Sequence, residues 1–351
     1  MESSAQTDAI RWTGILPERL ARKASRSDFY FRPDLWVAGL VTRVEKVLEE
    51  EVGSGDTLMR QIGRHMVFGH AKRLRPLFVL LAQNLFMEET SEVTIDCAAA
   101  AELIHCASLF HDDVIDGAEL RKGRRAANAV WGNKSAVIMG DHFFVLAYNL
   151  VTKHRDLRLI QLYLDMCSSL AEGVMMEIKN LGNLDTTEET HFETIKRKTA
   201  VFFRASTVVG GHIGGAPPEL EDHLAGFGLN FGLAFQLSDD LLDLFSDPEA
   251  TGKPRGSDLR SGIYTIPVIH ALAETADFAP RFRPILEDRD LSSEDIDRIA
   301  DALRSNGAME YARGLVQRHS EAALAHLDRL PQGRSNDTLR DLLLKIVSRE
   351  Y

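Results

Sequence analysis

From residue 34 onward, apolar side chains recur at three- and four-residue spacing over long stretches. The pattern predicts helices over roughly 34–52, 56–68, 74–88, 92–116, 134–152, 156–182, 189–213, 219–246, 264–275, 293–304, 308–329 and 337–349. No stretch shows the sustained two-residue alternation of Val, Ile and Thr that marks a half-buried strand. The breaks have local causes: Gly53-Ser54-Gly55, Gly214-Gly215-Ala216-Pro217-Pro218 and Asn306-Gly307 interrupt the pattern. Ser292 and Ser293 followed by Glu294 and Asp295 form a helix entry. Short connections imply antiparallel neighbours, and neither a mid-chain linker nor a fixed-period repeat is present. The expectation is an all-α, single-domain bundle over 31–351, preceded by a polar tail over 1–30 that is loose or docked on a partner.

Composition narrows the function. A chain of 351 residues with 44% hydrophobic content can bury a large core. A net charge of −11 and a pI near 5.6 argue against nucleic acid as a partner, because phosphate-backbone affinity needs a basic surface. Cys97, Cys106 and Cys167 lie far apart in apolar segments without metal-ligand spacing, so they read as buried free thiols of a reducing cytoplasm. Met1 to Arg11 carries Glu2 and Asp8 and is not the apolar stretch of a signal peptide, and no 18 apolar residues run together to span a membrane.

Two acidic motifs change the picture. His111-Asp112-Asp113-Val114-Ile115-Asp116 ends an apolar helical segment, and Gln236-Leu237-Ser238-Asp239-Asp240-Leu241-Leu242-Asp243 lies within another. At about 100° per residue, Asp112 and Asp116 lie only about 40° apart around the helix and can share one ion. One such triplet fits a solvated helix end. Two on separate helices call for a shared cause. Carboxylates near a helix C-terminus oppose its dipole, and clustered in an apolar setting they must protonate or be neutralised. Hard divalent cations neutralise them, and carboxylate with water and substrate phosphate is the usual setting of Mg²⁺.

The cations are grouped as well: Lys72-Arg73-Leu74-Arg75-Pro76, Arg121-Lys122-Gly123-Arg124-Arg125, Lys198-Thr199 and Gly252-Lys253. Each alone fits a surface charge. Together, in an acidic chain and near the triplets, they read as direct contacts to a diphosphate that complement the metal-bridged ones.

In this order the motifs resemble those of the trans-isoprenyl diphosphate synthases, over about residues 36–349. The resemblance implies antiparallel helices around a deep central cavity, usually in a homodimer, with three Mg²⁺ ions holding an allylic diphosphate. It makes Asp112, Asp113, Asp116, Asp239, Asp240 and Asp243 the metal-binding carboxylates. Arg121, Lys198 and Lys253 would contact the allylic diphosphate. Lys72, Arg75, His105 and Lys122 would form the pocket for isopentenyl diphosphate. Thr199 and Gln236 match positions that support the cation and the motif helix.

Several positions depart from the family pattern. His70-Ala71 replaces a double glycine, Lys122 stands where a second Arg is common, and Val174 and Glu177 replace a Glu and a Gln. Ile263, within Gly262-Ile263-Tyr264-Thr265-Ile266-Pro267, stands where Lys is common and removes one cation. A Gly-Val-x-Thr-Leu-Pro form in some bacterial long-chain members resembles this last change.

The implied chemistry is ionisation of the allylic diphosphate, attack by the double bond of isopentenyl diphosphate and loss of a proton. No protein nucleophile is needed, in keeping with the lack of a convincing Ser-His-Asp or Cys-His constellation. Ala107 and Ser108 occupy the fifth and fourth positions before Asp112, where short-chain members often carry an aromatic. Small residues there lead to an expected product longer than C15, with C30–C50 favoured over C20. The alternatives are a class I terpene cyclase, a weakly catalytic partner subunit of a heteromeric synthase, and a metal phosphohydrolase suggested by His111-Asp112. Any contact with a membrane enzyme that receives the product would be peripheral.

Overall fold

A computed structural model describes residues 35–68, 72–121, 123–246 and 255–349. The tail over 1–30, His70-Ala71, Lys122 and Lys253 lie outside the described residues. Helices dominate, as the periodicity predicts. In chain order they are α1 (Leu35–Gly53), α2 (Thr57–Val67), α3 (Leu74–Asn84), α4 (Glu92–Ile115), α5 (Ala127–Trp131), α6 (Asn133–Thr152), α7 (Leu157–Asn180), α8 (Glu188–Ile195) and α9 (Val201–Gly214). There follow α10 (Pro218–Phe245), α11 (Ser257–Ser261), α12 (Ile266–Glu274), α13 (Phe278–Asp288), α14 (Ser293–Ser305), α15 (Ala308–Leu327) and α16 (Arg334–Val347). A two-residue hairpin, β1 (Leu120–Arg121) with β2 (Arg124–Arg125), pairs Arg121 with Arg124 after α4.

Local chemistry sets the boundaries. Ser91 caps α4 by accepting from the Thr94 N–H at 3.2 Å, and Ser292 with Asp295 closes a capping box on α14. α9 stops at Gly215, which takes φ +75°, while the N–H groups of Gly215 and Ala216 donate back to His212 and Gly211. Pro217-Pro218 then starts α10, where a missing N–H costs nothing.

The segment expected as one helix over 189–213 is divided. Between α8 and α9, Lys196–Ala200 forms a π-helical turn, an insertion often found at functional sites. It is pinned from two sides: a Cβ on Gly173 of α7 would meet the Lys198 backbone nitrogen at 2.5 Å, and one on Gly232 of α10 would meet Ala200 Cα at 2.5 Å. Only hydrogen at these two positions allows the backbones to approach so closely.

Two apolar clusters form the interior. One gathers around α10, α12 and α15, and the other around α4 and α6. α3 and α9 supply side chains to both, with Phe78 and Phe203 on one side and Leu80 and Phe202 on the other. α4 is apolar around nearly its whole circumference, and Ala98 to Ala101, Leu103, Ile104, Ala107 and Phe110 are fully buried, as expected of a central helix. Its C-terminal end and the end of α10 carry the acidic motifs.

Candidate active site

The first triplet sits on the last turn of α4. Asp113 is fully buried and turned into the protein, where Arg121 Nε donates to its Oδ1 at 2.7 Å. Its Oδ2 is buried with no hydrogen-bond partner among the described residues. Asn128 Nδ2 donates to the Asp113 and Ala118 carbonyls, fixing the loop that brings Arg121 back. Asp112 and Asp116 face elsewhere, toward Lys198. Burial pushes both carboxyls above the ordinary range, and the Lys198 ammonium opposes that rise.

The second triplet divides in the same way. Asp240 is buried: Gln236 Nε2 donates to its Oδ1 at 2.9 Å, and His191 Nε2 lies 3.3 Å from its Oδ2. Thr199 Oγ1 in turn donates to Gln236 Oε1 at 2.8 Å, linking the π turn to α10. Asp243 accepts from the backbone N–H groups of Ser257 and Asp258 at 3.2 and 3.1 Å, which organises α11. The Asp239 side chain is 41% accessible to water and pairs with Arg349. Enclosure nonetheless raises its carboxyl above the ordinary range, against the pull of Arg349 and Lys72. The middle aspartates are thus held by side-chain partners and Asp243 by backbone N–H groups, while Asp239 is shared between Arg349 and solvent.

The basic run before α3 is sorted by its backbone. Arg73 takes φ +50° and turns inward, where Glu45 Oε1 and Glu102 Oε1 accept from it at 2.6 and 2.7 Å. Against the cost of its burial, these two carboxylates hold the guanidinium above its ordinary value. Arg75 lies over the rings of Phe202 and Phe203, 4.7 and 5.4 Å from their centroids. Its Nε is buried without a hydrogen-bond partner among the described residues. Burial lowers the Arg75 guanidinium, and Glu102, Asp239 and Asp112 are among the charges that pull it back. Arg75 thus stands within electrostatic reach of the leading aspartate of both motifs, with a donor still to satisfy. His105 sets its ring 6.4 Å from that of Phe202. Ser108 is partly buried and bonds the His105 carbonyl, while Ala107 is fully enclosed.

These features find a counterpart among known proteins. The polyprenyl synthetase family model matches residues 56–303. The chain belongs to that family. The octaprenyl diphosphate synthase of Escherichia coli (strain K12) is 34% identical over 309 residues, which is 88% of this chain and 95% of that one. The nonaprenyl diphosphate synthase of Mycobacterium tuberculosis is 30% identical over 88% of this chain and 92% of its own. Among solved structures, the decaprenyl diphosphate synthase of Rhodobacter capsulatus superposes with a TM-score of 0.84 at 32% identity, covering 95% of this chain and 99% of that one. A polyprenyl synthase of Caulobacter crescentus CB15, solved with calcium and isoprenyl diphosphate, gives 0.85 at 28% identity over 95% and 98%.

As a polyprenyl synthetase the chain is a prenyl-group transferase, and three further residues join its site. Glu177 on α7 accepts from Lys198 Nζ at 2.5 Å. Asp258 on α11 lies beside Asp243 and Asp240, and burial with those neighbours drives its carboxyl well above the ordinary range. Arg349, just past α16, pairs with Asp239 and Ser238. Their signals in sequence are weak: a substituted position for Glu177, an acidic residue shortly after Gly252-Lys253 for Asp258, and nothing local for Arg349. A divalent cation fits this donor set. Buried carboxylates with raised pKa call for positive charge. Among the described residues no three His, Cys, Asp or Glu side chains converge to cage an ion unaided. That suits a metal which keeps water and substrate phosphate among its ligands.

Proposed function

We propose that this polyprenyl synthetase condenses isopentenyl diphosphate with an allylic diphosphate into an all-trans polyprenyl diphosphate longer than C15, within C30–C50, and releases diphosphate. The observation that carries the reading is that Asp112 and Asp239, the leading aspartates of the two motifs, both act on the buried and partly unsatisfied Arg75. Octa-, nona- and decaprenyl synthases among the relatives support the length class.

Asp112, Asp116 and Asp239 would hold Mg²⁺, three ions with diphosphate bound, and Asp113, Asp240 and Asp243 support them from behind. When bound, the metal supplies positive charge to the departing diphosphate. Lys198 contacts that group directly, with Arg121 and Lys253 assigned beside it. Lys72, Arg75, His105 and Lys122 orient isopentenyl diphosphate. The allylic C–O bond breaks, the isopentenyl double bond forms the new C–C bond, and a proton leaves. Thr199 and Gln236 keep the π turn and α10 in register. Small Ala107 and Ser108 leave room for the tail.

A second copy of the chain is the partner we assign to the outer face of α6 and α7. There Ile138, Val145 and Met175 are 62%, 56% and 63% exposed, large apolar side chains that a second copy would cover. A cytoplasmic location accords with three unpaired thiols. One other reading has a specific observation behind it: a 35% identical relative in Geobacillus stearothermophilus is component 2 of a heptaprenyl diphosphate synthase.

The purified chain, incubated with labelled isopentenyl diphosphate, Mg²⁺ and separate C5 to C20 primers, should yield C30–C50 alcohols after dephosphorylation. No chain growth without a second protein supports the two-component reading instead. A cyclised product from one diphosphate refutes both.

A further inference from the structure

Glu177 has no part in the chemistry above, yet it is paired with Lys198, which does. Gly173 and Glu177 lie four residues apart, so one face of α7 both admits the backbone of the π turn and clasps its lysine. The Glu177 charge acts on Asp112 and Asp116 of the first motif and on Asp258 beside the second, and Lys198 acts on the same three. An ammonium suited to a diphosphate is therefore surrounded by more negative charge than it carries. Glu177 stands where the resemblance leads one to expect Gln. Ile263, whose N–H donates to the Asp258 carbonyl at 2.8 Å, stands where Lys is common. Both departures make the same small volume more negative.

We propose that Glu177 is a positioning residue that masks Lys198 from a bare diphosphate, so that the site takes diphosphate groups as their divalent-metal complexes and rejects the metal-free anion. The proposal rests on the synthase reading of this site. A metal-free diphosphate would bring several negative charges against Asp112, Asp116 and Glu177, met by Lys198 and Arg121, which are already paired with Glu177 and Asp113. A metal-bearing one neutralises the two aspartates and leaves Lys198 to be shared between Glu177 and the phosphate oxygens. Glu177→Gln keeps the shape and one acceptor oxygen and removes the charge.

The test titrates the full-length protein with inorganic pyrophosphate in a calorimeter, once in EDTA and once in Mg²⁺. In E177Q, binding of metal-free pyrophosphate should tighten about tenfold, roughly 1.4 kcal/mol, while binding in Mg²⁺ should change much less. Glu177→Ala, which removes both the charge and the acceptor, should move the metal-free value in the same direction and decides the matter if E177Q does not fold. Metal-free affinity that stays at the wild-type level in the folded variants overturns the proposal. A parallel change in both conditions, the mark of a merely structural role, also overturns it. The synthase reading is checked separately by wild-type chain growth from isopentenyl diphosphate: growth with unmoved selectivity sinks the Glu177 proposal alone.

Discussion

Replacing Gly173 by alanine tests whether the position of Lys198 matters to turnover. The new methyl would lie 2.5 Å from the Lys198 nitrogen and 2.9 Å from the Arg197 carbonyl carbon and Lys198 Cα, all of them backbone atoms. Ordinary van der Waals contact requires about 3.5–4 Å, so α7 and the π turn must separate by roughly 1 Å. Gly232 and Ala200 hold the π turn from a second side, so it cannot retreat freely. Overpacking of this kind costs about 1–3 kcal/mol of stability. A displacement near 1 Å at a positioned catalytic group costs on the order of a hundredfold in rate. Turnover would be followed by incorporation of labelled isopentenyl diphosphate, and stability by thermal unfolding. Gly314→Ala is the control, because a Cβ there meets nothing within 4 Å in the middle of α15, and it should stabilise by about 0.4–1 kcal/mol without loss of rate. A folded G173A enzyme with more than half of wild-type turnover would refute the idea that this close approach sets the catalytic lysine.

Asp112→Ala and Asp239→Ala should each leave a folded protein that has lost about two decades or more of turnover; retention of half the wild-type rate would contradict the metal assignment. Ala107→Tyr and Ser108→Phe should shorten the product, read by sizing the dephosphorylated alcohols, and an unchanged distribution from both would remove these residues from the tail path. Ile138→Asp combined with Val145→Asp should convert a dimer to a monomer by light scattering, and a wild-type monomer would end that assignment. Asp156 caps α7 through the Arg158 and Leu159 N–H groups, with His212 Nε2 at 2.8 Å. Burial works against it, but these partners hold its carboxyl below the ordinary value. Its contribution is therefore present above the usual aspartate pKa and disappears as pH falls through the lowered one. Asp156→Ala should cost about 1 kcal/mol near neutrality, and the gap to wild type in urea unfolding should close below about pH 4; a gap independent of pH would show that the carboxylate charge is irrelevant.

Long periodic stretches carried most of the helix pattern, and α4, α6, α7 and α10 lie close to their expected spans. The helix α13 has no counterpart among the expected segments; Pro280 and Pro284 fall within it, yet Phe278, Phe282 and Leu286 recur every four residues and are buried. Burial of that stripe outweighs the lost hydrogen bond. The π turn was equally hidden, since one extra residue per turn leaves no mark in composition, and its cause lies in the glycines of α7 and α10. In the site, Asp-Asp-x-x-Asp was legible as a motif, but the division of labour within it was not. That Asp113 faces Arg121 depends on how the loop after α4 folds back, and that Asp240 faces His191 depends on a partner 49 residues away. The same holds for Arg349, which meets Asp239 from 110 residues further along.

Arg73 at φ +50° has a wider consequence. The three cations of Lys72-Arg73-Leu74-Arg75 go to different addresses around a single left-handed residue: Arg73 inward to Glu45 and Glu102, Arg75 onto Phe202 and Phe203, and Lys72 within reach of Asp239. A shuffled version of this tetrapeptide would keep the isoelectric point and the length of the segment while misdelivering every charge. Backbone handedness, rather than the number of basic residues, is what sorts the scaffold cation from the working ones.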